Sequence, residues 1–166
     1  MANIKRIGYG QVEPNHLSAQ RTGQIYAQLP YSGSLTALEN GQFLKYDLAN
    51  NACNTTGAGE WMLVYNEIKL YDERKQTYKD YAMIANECVE GVMVPRLFKT
   101  NIGDIYTTNF VGDGSATEAT VGNYLKVDEN GRLVDGTADD VAPLFQIAKV
   151  YTLADGQDAI KVVRVK

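Results

Sequence analysis

The chain has 166 residues and a formal net charge of −4 at pH 7, with 45 % hydrophobic and 22 % charged residues. This length fits one domain or two small ones, and the composition is that of an ordinary globular protein. The basic residues are dispersed, which disfavours a nucleic-acid partner. No apolar run reaches the 18 or so residues of a membrane span, so we expect no membrane partner either.

Residues 1–30 form a distinct N-terminal segment, MANIKRIGYGQVEPNHLSAQRTGQIYAQLP. Glycine and proline interrupt any regular element in it, yet its apolar residues are too frequent for a disordered tail. Three basic residues against one acidic residue make it positive. We predict an extended arm that binds a partner surface through Ile4, Ile7, Tyr9, Arg21, Ile25 and Tyr26. The alternative is an arm folded back on its own domain.

Residues 31–166 predict a body of short strands, each rich in β-branched and aromatic residues and bounded by Gly, Asn, Asp or Pro. The candidate strands are 43–48, 61–71, 78–85, 91–99, 104–109, 124–127, 132–134, 144–153 and 159–165. Their spacing of about ten residues favours an all-β fold, a compact antiparallel β-barrel or sandwich, carrying the extended N-terminal arm.

The connections have their own signals. Asn130-Gly131 predicts a type I′ hairpin turn, because both central positions of that turn need positive φ. Residues 111–122, VGDGSATEATVG, predict a flexible loop. TADDVAP at 137–143 can hold a single helical turn. LYDERKQTYKDYAMIANE at 70–87 favours a hairpin with a charged turn over a helix.

Two stretches are nearly the same: NGQFLKYD at 40–47 and VGNYLKVD at 121–128. Alternation places the central leucine of each, Leu44 or Leu125, on an apolar face, which predicts equivalent core roles. EIKLYD at 67–72 also has the layout of IAKVYT at 147–152, and the two matches agree in register to within one position. We predict two related β units, at about 38–85 and 119–166. The alternative is chance convergence on good strand chemistry.

No catalytic signature is apparent. The single histidine, His16, lies in the N-terminal segment, where no rigid shell holds a nucleophile against it. No spacing argument brings Glu60 to Asp139 and Asp140 as a glycosidase pair. We therefore expect no enzyme and no catalytic residues.

Metal and cofactor signals are equally weak. One histidine and two distant cysteines do not make a zinc site. DENG at 128–131 resembles only the start of a calcium loop and is better interpreted as a turn. Residues 111–122 lack the Lys-Ser/Thr of a phosphate loop. We expect neither a metal nor a cofactor.

The cysteines and the N-terminus indicate a compartment. MANIKRIGYG contains no hydrophobic signal core, so we expect synthesis in the cytoplasm without export. Cys53 and Cys88 lie outside any C-x-x-C spacing, and we expect two reduced thiols, buried or idle. A disulfide between them is not signalled.

The longer motifs carry a resemblance. LENGQFLKYD, GVMVPRLFKTNIGDIYTTN at 91–109, GNYLKVDENGRLV and the C-terminal PLFQIAKVYTLADGQDAIKVVRVK resemble small virion proteins of tailed bacteriophages, of the head-decoration and head-fibre-base class. The strongest portions are GDIYTTN and FQIAKVYTLADG, and the resemblance covers the chain from about residue 38 onward. These motifs are strand and turn chemistry, and no contact residue of the family carries over individually.

The resemblance implies a structural virion protein on the outer surface of the capsid, bound to the major capsid protein and assembled as a homotrimer. An arm that orders on binding suits this role, because it can cover a wide surface. The alternative is a carbohydrate- or host-surface-binding module of a phage fibre, with Trp61 and exposed tyrosines stacking on sugars. Against it, a lone Trp that begins the apolar run WMLVY is typical of a core. The third hypothesis is a cell-wall hydrolase, but the sequence shows no nucleophile and base that would support this activity.

Overall fold

The computed structural model describes residues 2–3, 8–16, 25–66, 81–112, 118–153 and 155–166. In this part of the chain, every regular element except two short 3-10 turns, Ala85–Glu87 and Val89–Gly91, is a β-strand. In chain order the strands are β1 (Ala2–Asn3), β2 (Val12–His16), β3 (Ile25–Gln28), β4 (Ala37–Glu39), β5 (Phe43–Asp47), β6 (Ala52–Asn54), β7 (Trp61–Val64), β8 (Ala82–Ile84), β9 (Arg96–Phe98), β10 (Ile105–Thr108), β11 (Glu118–Ala119), β12 (Tyr124–Val127), β13 (Leu133–Gly136), β14 (Leu144–Thr152) and β15 (Asp158–Arg164).

The strands form two large sheets and two small ones. The order is β13-β12-β14-β15-β10-β2 in the six-stranded sheet and β3-β9-β7-β5-β6 in the five-stranded sheet, while β1 pairs with β11 and β4 with β8. The ladders between these strands are antiparallel. The predicted all-β, antiparallel fold class is therefore confirmed.

The main hydrophobic core is built from side chains of both large sheets. Phe43 and Leu63 of one sheet and Phe145 and Val162 of the other are fully buried there. The ring centroids of Phe43 and Phe145 are 5.6 Å apart, and Tyr106 meets Phe145 edge-on at 5.8 Å. Such pairs contribute about 0.5–1.5 kcal/mol beyond the burial of their area.

The five-stranded sheet is covered on both faces. Because successive side chains of a strand point to opposite faces, Phe43 enters the main core and Leu44 enters a second cluster. Leu38 of β4 and Met93, beyond β8, belong to this second cluster. The paired strands β4 and β8 and the segment after them thus form a third layer.

The two large sheets share one strand order. Taken in chain order, β3, β5, β6, β7 and β9 are arranged as first-fifth-fourth-second-third, and so are β10, β12, β13, β14 and β15. We call these five-stranded sets the first unit, Ile25 to Phe98, and the second unit, Ile105 to Arg164. The second unit carries β2 as an additional strand beside β10.

A short parallel bridge covers the same edge in each unit. Tyr31 bridges Cys53 on β6, and Val111 bridges Leu133 on β13. The stretch of sequence from Tyr31 to Cys53 is as long as the stretch from Val111 to Leu133. This repeated bridge agrees with the hypothesis that the two units are related, which stays a hypothesis.

Equivalent hydrogen bonds within each unit show which residues of the two units correspond. The N–H of Gly41 donates to the carbonyl of Val64 at 3.0 Å, and the N–H of Gly122 donates to that of Ile147 at 2.8 Å. Val64 is therefore the counterpart of Ile147. The predicted match of 67–72 to 147–152 aligns Glu67 with Ile147 instead, and residues 67–72 lie outside the described part of the chain.

The prediction that Leu44 and Leu125 have equivalent core roles is wrong. Leu44 lies in the second cluster, whereas Leu125 lies in the main core. In the first unit the neighbouring Phe43 faces the main core instead, while its counterpart Tyr124 is only half-buried. The same sequence pattern serves opposite faces because a third layer covers the outer face of the first unit.

The N-terminal segment contributes strands to the two large sheets. Val12–His16 (β2) pairs with β10, and Ile25–Gln28 (β3) pairs with β9. The first unit therefore begins within residues 1–30, before the predicted boundary at residue 30. The described parts of the segment lie on the chain's own sheets, as the alternative interpretation requires, and binding to a partner surface stays a prediction.

The β12–β13 connection differs from the predicted type I′ turn. Gly131 has φ 75°, but Asn130 does not have positive φ. The N–H of Gly131 donates to the carbonyl of Asp128 at 3.1 Å, as in a type I turn followed by a left-handed glycine. The Asp128 carboxylate accepts the N–H groups of Asn130 and Arg132 at 2.9 and 2.8 Å, which stabilises this longer loop.

Some of the other predicted elements agree with the observed strands and turns, and others do not. The predicted strand 124–127 matches β12, but the strand predicted at 91–99 is reduced to Arg96–Phe98. TADDVAP forms a turn in which the N–H of Asp140 donates to the Thr137 carbonyl at 3.1 Å, without a helical turn. Residues 70–80 of the predicted hairpin and 113–117 of the predicted loop lie outside the described residues.

Substitution of Gly131 is a test of how closely the two units pack at Phe43. A Cβ at this position would overlap the carbonyl oxygen of Phe43, and φ is 75°. Gly122 is a matched control, because its φ is 93° but its surroundings are open. We expect Gly122→Ala to lower the free energy of unfolding by about 1 kcal/mol, and Gly131→Ala by at least about 2 kcal/mol more. Urea denaturation measures both, and equal losses would contradict the close approach.

Candidate functional site

The six predicted partner-binding residues do not form one described surface. Ile4, Ile7 and Arg21 lie outside the described residues. Tyr9 is 38 % exposed. Ile25 and Tyr26 belong to β3, where Ile25 pairs with Phe98. These two residues therefore have a structural place in the first unit, and their role in binding stays a prediction.

A buried amide network anchors the described N-terminal segment. The N–H of Gln11 donates to Asn109 Oδ1 at 2.6 Å, and the Asn109 amide donates to Gln157 Oε1 at 3.0 Å. The side chains of Gln11 and Gln157 donate to Asp155 Oδ2 at 2.9 and 2.8 Å. Because Gln11, Asn109 and Gln157 are almost fully buried, these bonds fix where the segment lies.

The network also sets the charge of Asp155. Burial alone would raise the pKa of its carboxyl, but the hydrogen bonds from Gln11 and Gln157 outweigh burial and hold that pKa below its ordinary value. The carboxylate is thus the acceptor that the two glutamine amides need. This cluster is a structural one.

A second charged cluster is equally saturated. The Arg164 guanidinium donates to the Thr100 carbonyl, to Thr100 Oγ1 at 3.0 Å and to Glu60 Oε1 at 3.2 Å. Its Nε donates to the carbonyl of Lys166 at 3.0 Å, and Lys99 pairs with Glu60 at 3.5 Å. Glu60 is therefore held by two cations, while the carboxylate of Asp140 pairs with Lys126 at 3.1 Å.

Among the described residues, no group of three or more His, Cys, Asp or Glu side chains is placed to hold a metal ion. No helix in the same residues has the length and apolarity of a membrane span.

Both cysteines are free thiols. Cys53 is buried and its Sγ donates to the Leu29 carbonyl at 3.4 Å, while Cys88 is half-buried and donates to the Ile84 carbonyl at 3.3 Å. Burial raises the pKa of Cys53 to about 12. At neutral pH the Cys53 thiol is therefore almost wholly protonated and packs as a small apolar group.

Trp61 is a poor platform for sugars. Its ring is half-buried and packs against the main core. The Lys45 ammonium lies 4.5 Å from the ring centroid, over the ring. The indole is thus engaged in a cation–π contact.

A groove lies where the two units meet. Its volume is about 230 Å3, and it is lined by Tyr31, Ser32, Gly33, Ser34, Leu35, Gln42, Asn54, Thr55, Thr56, Asn130 and Arg132. Asn130 and Arg132 come from the second unit, and the other residues come from the first. The Gln42 amide donates to the Asn130 carbonyl at 3.4 Å, which joins the two walls.

Hydrogen bonds hold the hydroxyl-rich wall of the groove in place. The side-chain Oδ1 of Asn54 accepts the N–H groups of Thr56 and Gly57 at 2.9 and 2.6 Å, and its side-chain Nδ2 donates to Ser32 Oγ at 3.1 Å. The Tyr31 hydroxyl accepts the N–H of Leu35 at 3.3 Å. Burial raises the pKa of this phenol above its ordinary value of 10.0, and the hydroxyl, protonated at neutral pH in either case, can also donate a hydrogen bond.

Aliphatic side chains are exposed on several connections between strands. Their exposed fractions are 60 % or more: Leu48 76 %, Val89 86 %, Ile102 72 %, Val121 60 % and Val141 81 %. Each lies between two strands in chain order and outside the strands themselves. Positions of this kind usually carry polar or small residues. We call these five residues the aliphatic apices.

Sequence reasoning missed the groove and the apices. YSGS at 31–34 lies outside every predicted strand, and Arg132 is predicted only as the first residue of a strand. The available signal was the presence of two hydroxyl-rich stretches in the first unit, YSGS at 31–34 and NTTG at 54–57. The exposed Val89 was hidden in CVEGVMV, an apolar run next to the strand predicted at 91–99.

Comparison of the chain with protein-family models, with curated proteins and with solved structures gives no match.

The amide network predicts a pH dependence. Asp155 has a lowered pKa in the folded state, so its stabilisation is present above its ordinary value of 3.8 and is lost as the pH falls through the lower folded value. We expect Asp155→Asn to lower the free energy of unfolding by about 1 kcal/mol at pH 7 and by less below pH 3.8. Urea denaturation at several pH values measures this, with the exposed Asp139→Asn as control. A loss that does not shrink at low pH would contradict the proposed charge of Asp155.

The thiols predict different reactivities. In Cys88→Ser, Cys53 should resist an aromatic disulfide reagent at pH 8 until the chain is unfolded, because only about one thiol in ten thousand is ionised at a pKa of about 12. In Cys53→Ser, the half-buried Cys88 should react faster in the native state. The release of the coloured thiol measures both rates, and similar native rates would show that Cys53 is accessible.

Proposed function

We propose that this chain is a structural virion protein that binds the outer surface of a phage capsid and stabilises or decorates the shell. Its partner in this role is the major capsid protein, and its assembled form is a homotrimer. The chain acts by docking, without an enzymatic step. Its place is the exterior of the virion, after synthesis in the cytoplasm of the host.

The aliphatic apices carry the proposal. An aliphatic side chain that is 60 % or more exposed gains free energy when a partner covers it, at roughly 25 cal/mol per Å2 of apolar area. Five such side chains on connections between strands provide five contact points that do not disturb the core when they are covered. A protein that touches several neighbouring subunits of a shell needs separate contacts of this kind, and their effects add by multivalency.

The fold supports the proposal in a second way. The aliphatic apices lie on connections that are flanked by strands at both ends. The connection that carries Leu48 is also stabilised by the Asp47 carboxylate, which accepts the N–H groups of Ala49 and Asn50 at 3.1 and 3.4 Å. Hydrogen bonds from the Asn50 side chain and backbone lower the pKa of Asp47 and keep it ionised as the acceptor. Little conformational entropy is therefore lost when this contact forms.

The resemblance of GDIYTTN and FQIAKVYTLADG to head-decoration proteins gives the class of partner. The segment GDIYTTN includes β10, and FQIAKVYTLADG includes most of β14. Both strands belong to the second unit. What the resemblance implies beyond an all-β fold is part of this proposal.

The experiment changes two apices and keeps the fold. We expect the double variant Val89→Asp, Val141→Asp to bind phage heads lacking the native protein at least tenfold more weakly, because a carboxylate buried in an apolar contact without a partner is costly. Both sites are exposed, so the free energy of unfolding should change by less than about 0.5 kcal/mol per site. Co-sedimentation with heads of the phage that encodes the chain measures binding.

The control variant is Asn86→Asp, Ala138→Asp. Both residues are exposed, each lies three positions before one of the two valines, and the change in charge is the same. The control should bind heads like the native chain. If the valine variant still coats heads with full occupancy in a regular lattice, the aliphatic apices are not the docking contacts and the proposal fails.

A further inference from the structure

The groove contains one cation without an internal partner. Arg132 is half-buried, and within the described part of the chain its guanidinium has no hydrogen bond and no ion pair. The buried Arg164, by contrast, is satisfied on all sides. A half-buried guanidinium loses part of its hydration, so an anion that enters the groove would be bound favourably.

The walls of the groove favour a carboxylate. None of the described residues that line it is acidic, although the whole chain has a net charge of −4. The guanidinium of Arg132 offers a planar fork of N–H donors that matches the two oxygens of a carboxylate. The Asp128 carboxylate, beside this end of the groove, is occupied by the N–H groups of Asn130 and Arg132. The charge of the lining residues and the donor geometry therefore favour an anionic group at the Arg132 end.

The rest of the groove is suited to hydroxyl groups. Ser34 and Thr55 have side-chain hydroxyls for which the described residues supply no partner, and the protonated Tyr31 hydroxyl can donate. Each hydroxyl can donate one hydrogen bond and accept others. A ligand with several hydroxyls next to a carboxylate fits this inventory.

An extended peptide fits the groove less well. The edge of β6 beside it is already used, because the N–H of Cys53 donates to the Pro30 carbonyl at 2.9 Å and the carbonyl of Cys53 accepts the N–H of Ser32 at 3.0 Å. A peptide could not add as a strand at this edge, which is the mode in which main-chain hydrogen bonds give affinity. Recognition here depends on side chains.

The size of the groove limits the ligand. Pockets for drug-sized ligands are roughly 300–1,000 Å3, and this groove is about 230 Å3. It therefore takes one unit of a larger molecule and leaves the neighbouring units in solvent.

We propose that this groove binds one acidic sugar unit of a surface polysaccharide, with Arg132 holding the sugar carboxylate and Ser34, Thr55 and Tyr31 binding ring hydroxyls. This site is distinct from the aliphatic apices and does not depend on the capsid role. A virion protein with both features would hold the shell on one set of contacts and engage a glycan with the other.

The test uses the full chain with D-glucuronate, D-glucose and acetate as separate probes. Backbone amide shifts in NMR spectra report binding at Ser32–Leu35 and Asn54–Thr56. We expect D-glucuronate to shift these amides with a Kd of about 1 mM, the range for a ligand of this size. D-glucose and acetate, which each carry half of the recognised chemistry, should bind at least tenfold more weakly.

Two variants assign the contacts. Arg132→Gln should weaken D-glucuronate binding at least tenfold, and Thr55→Val, which keeps the shape and removes the hydroxyl, should weaken it severalfold. Lys99→Gln removes the same charge outside the groove and should leave binding unchanged. Because all three positions are at least partly exposed, the amide spectra should show that each variant stays folded.

Three outcomes would overturn the proposal. The first is the absence of groove shifts with D-glucuronate at tens of millimolar. The second is equal affinity for acetate with no effect of Thr55→Val, which would define a simple anion site. The third is binding of a short glutamate-rich peptide at the same amides while D-glucuronate fails, which would make the groove a contact for an acidic protein segment.

Discussion

One close backbone contact joins the two units beside their shared core. The N–H of Phe43, at the start of β5, donates to the carbonyl of Gly131 at 2.7 Å. The two segments come so close there that only a glycine fits. This contact seats the β12–β13 loop of the second unit on an inner strand of the first, directs Phe43 into the shared core and brings Asn130 and Arg132 beside the loop that starts at Tyr31. The way in which the two units meet and the position of the groove both depend on this close contact between Phe43 and Gly131.

The fold class and many strands could be predicted because they depend on local chemistry. β12 and β15 follow from alternation between turn residues, and this pattern does not need the rest of the fold. The membership of β3 was harder, since Gly10, Pro14 and Gly23 make residues 1–30 look irregular. Yet the stretch GQIY, which leads into β3, recurs as GDIY where the chain leads into β10. That repeat falls where the first strand of each unit begins.

The candidate sites were out of reach for a different reason. Tyr31 and Arg132 belong to different units, and only the packing of one unit on the other makes them neighbours. Sequence motifs relate residues that are close together in the chain, whereas Tyr31 and Arg132 are far apart in it. The valines of 89–94 were misleading because they look like one more strand, but Glu90 has φ 55° and the 3-10 turns around it break the ladder. An apolar run is a strand only if a partner strand is present to pair with it.

The covered edges of the sheets limit how these chains can aggregate. Tyr31 and Val111 each occupy an outer edge, and β2 presents Pro14, which has no N–H to offer to a further strand. The remaining end of the large sheets is β3, which pairs with β9 alone among the described strands. Addition of a strand from another copy is thereby restricted at three of the four ends of the two large sheets.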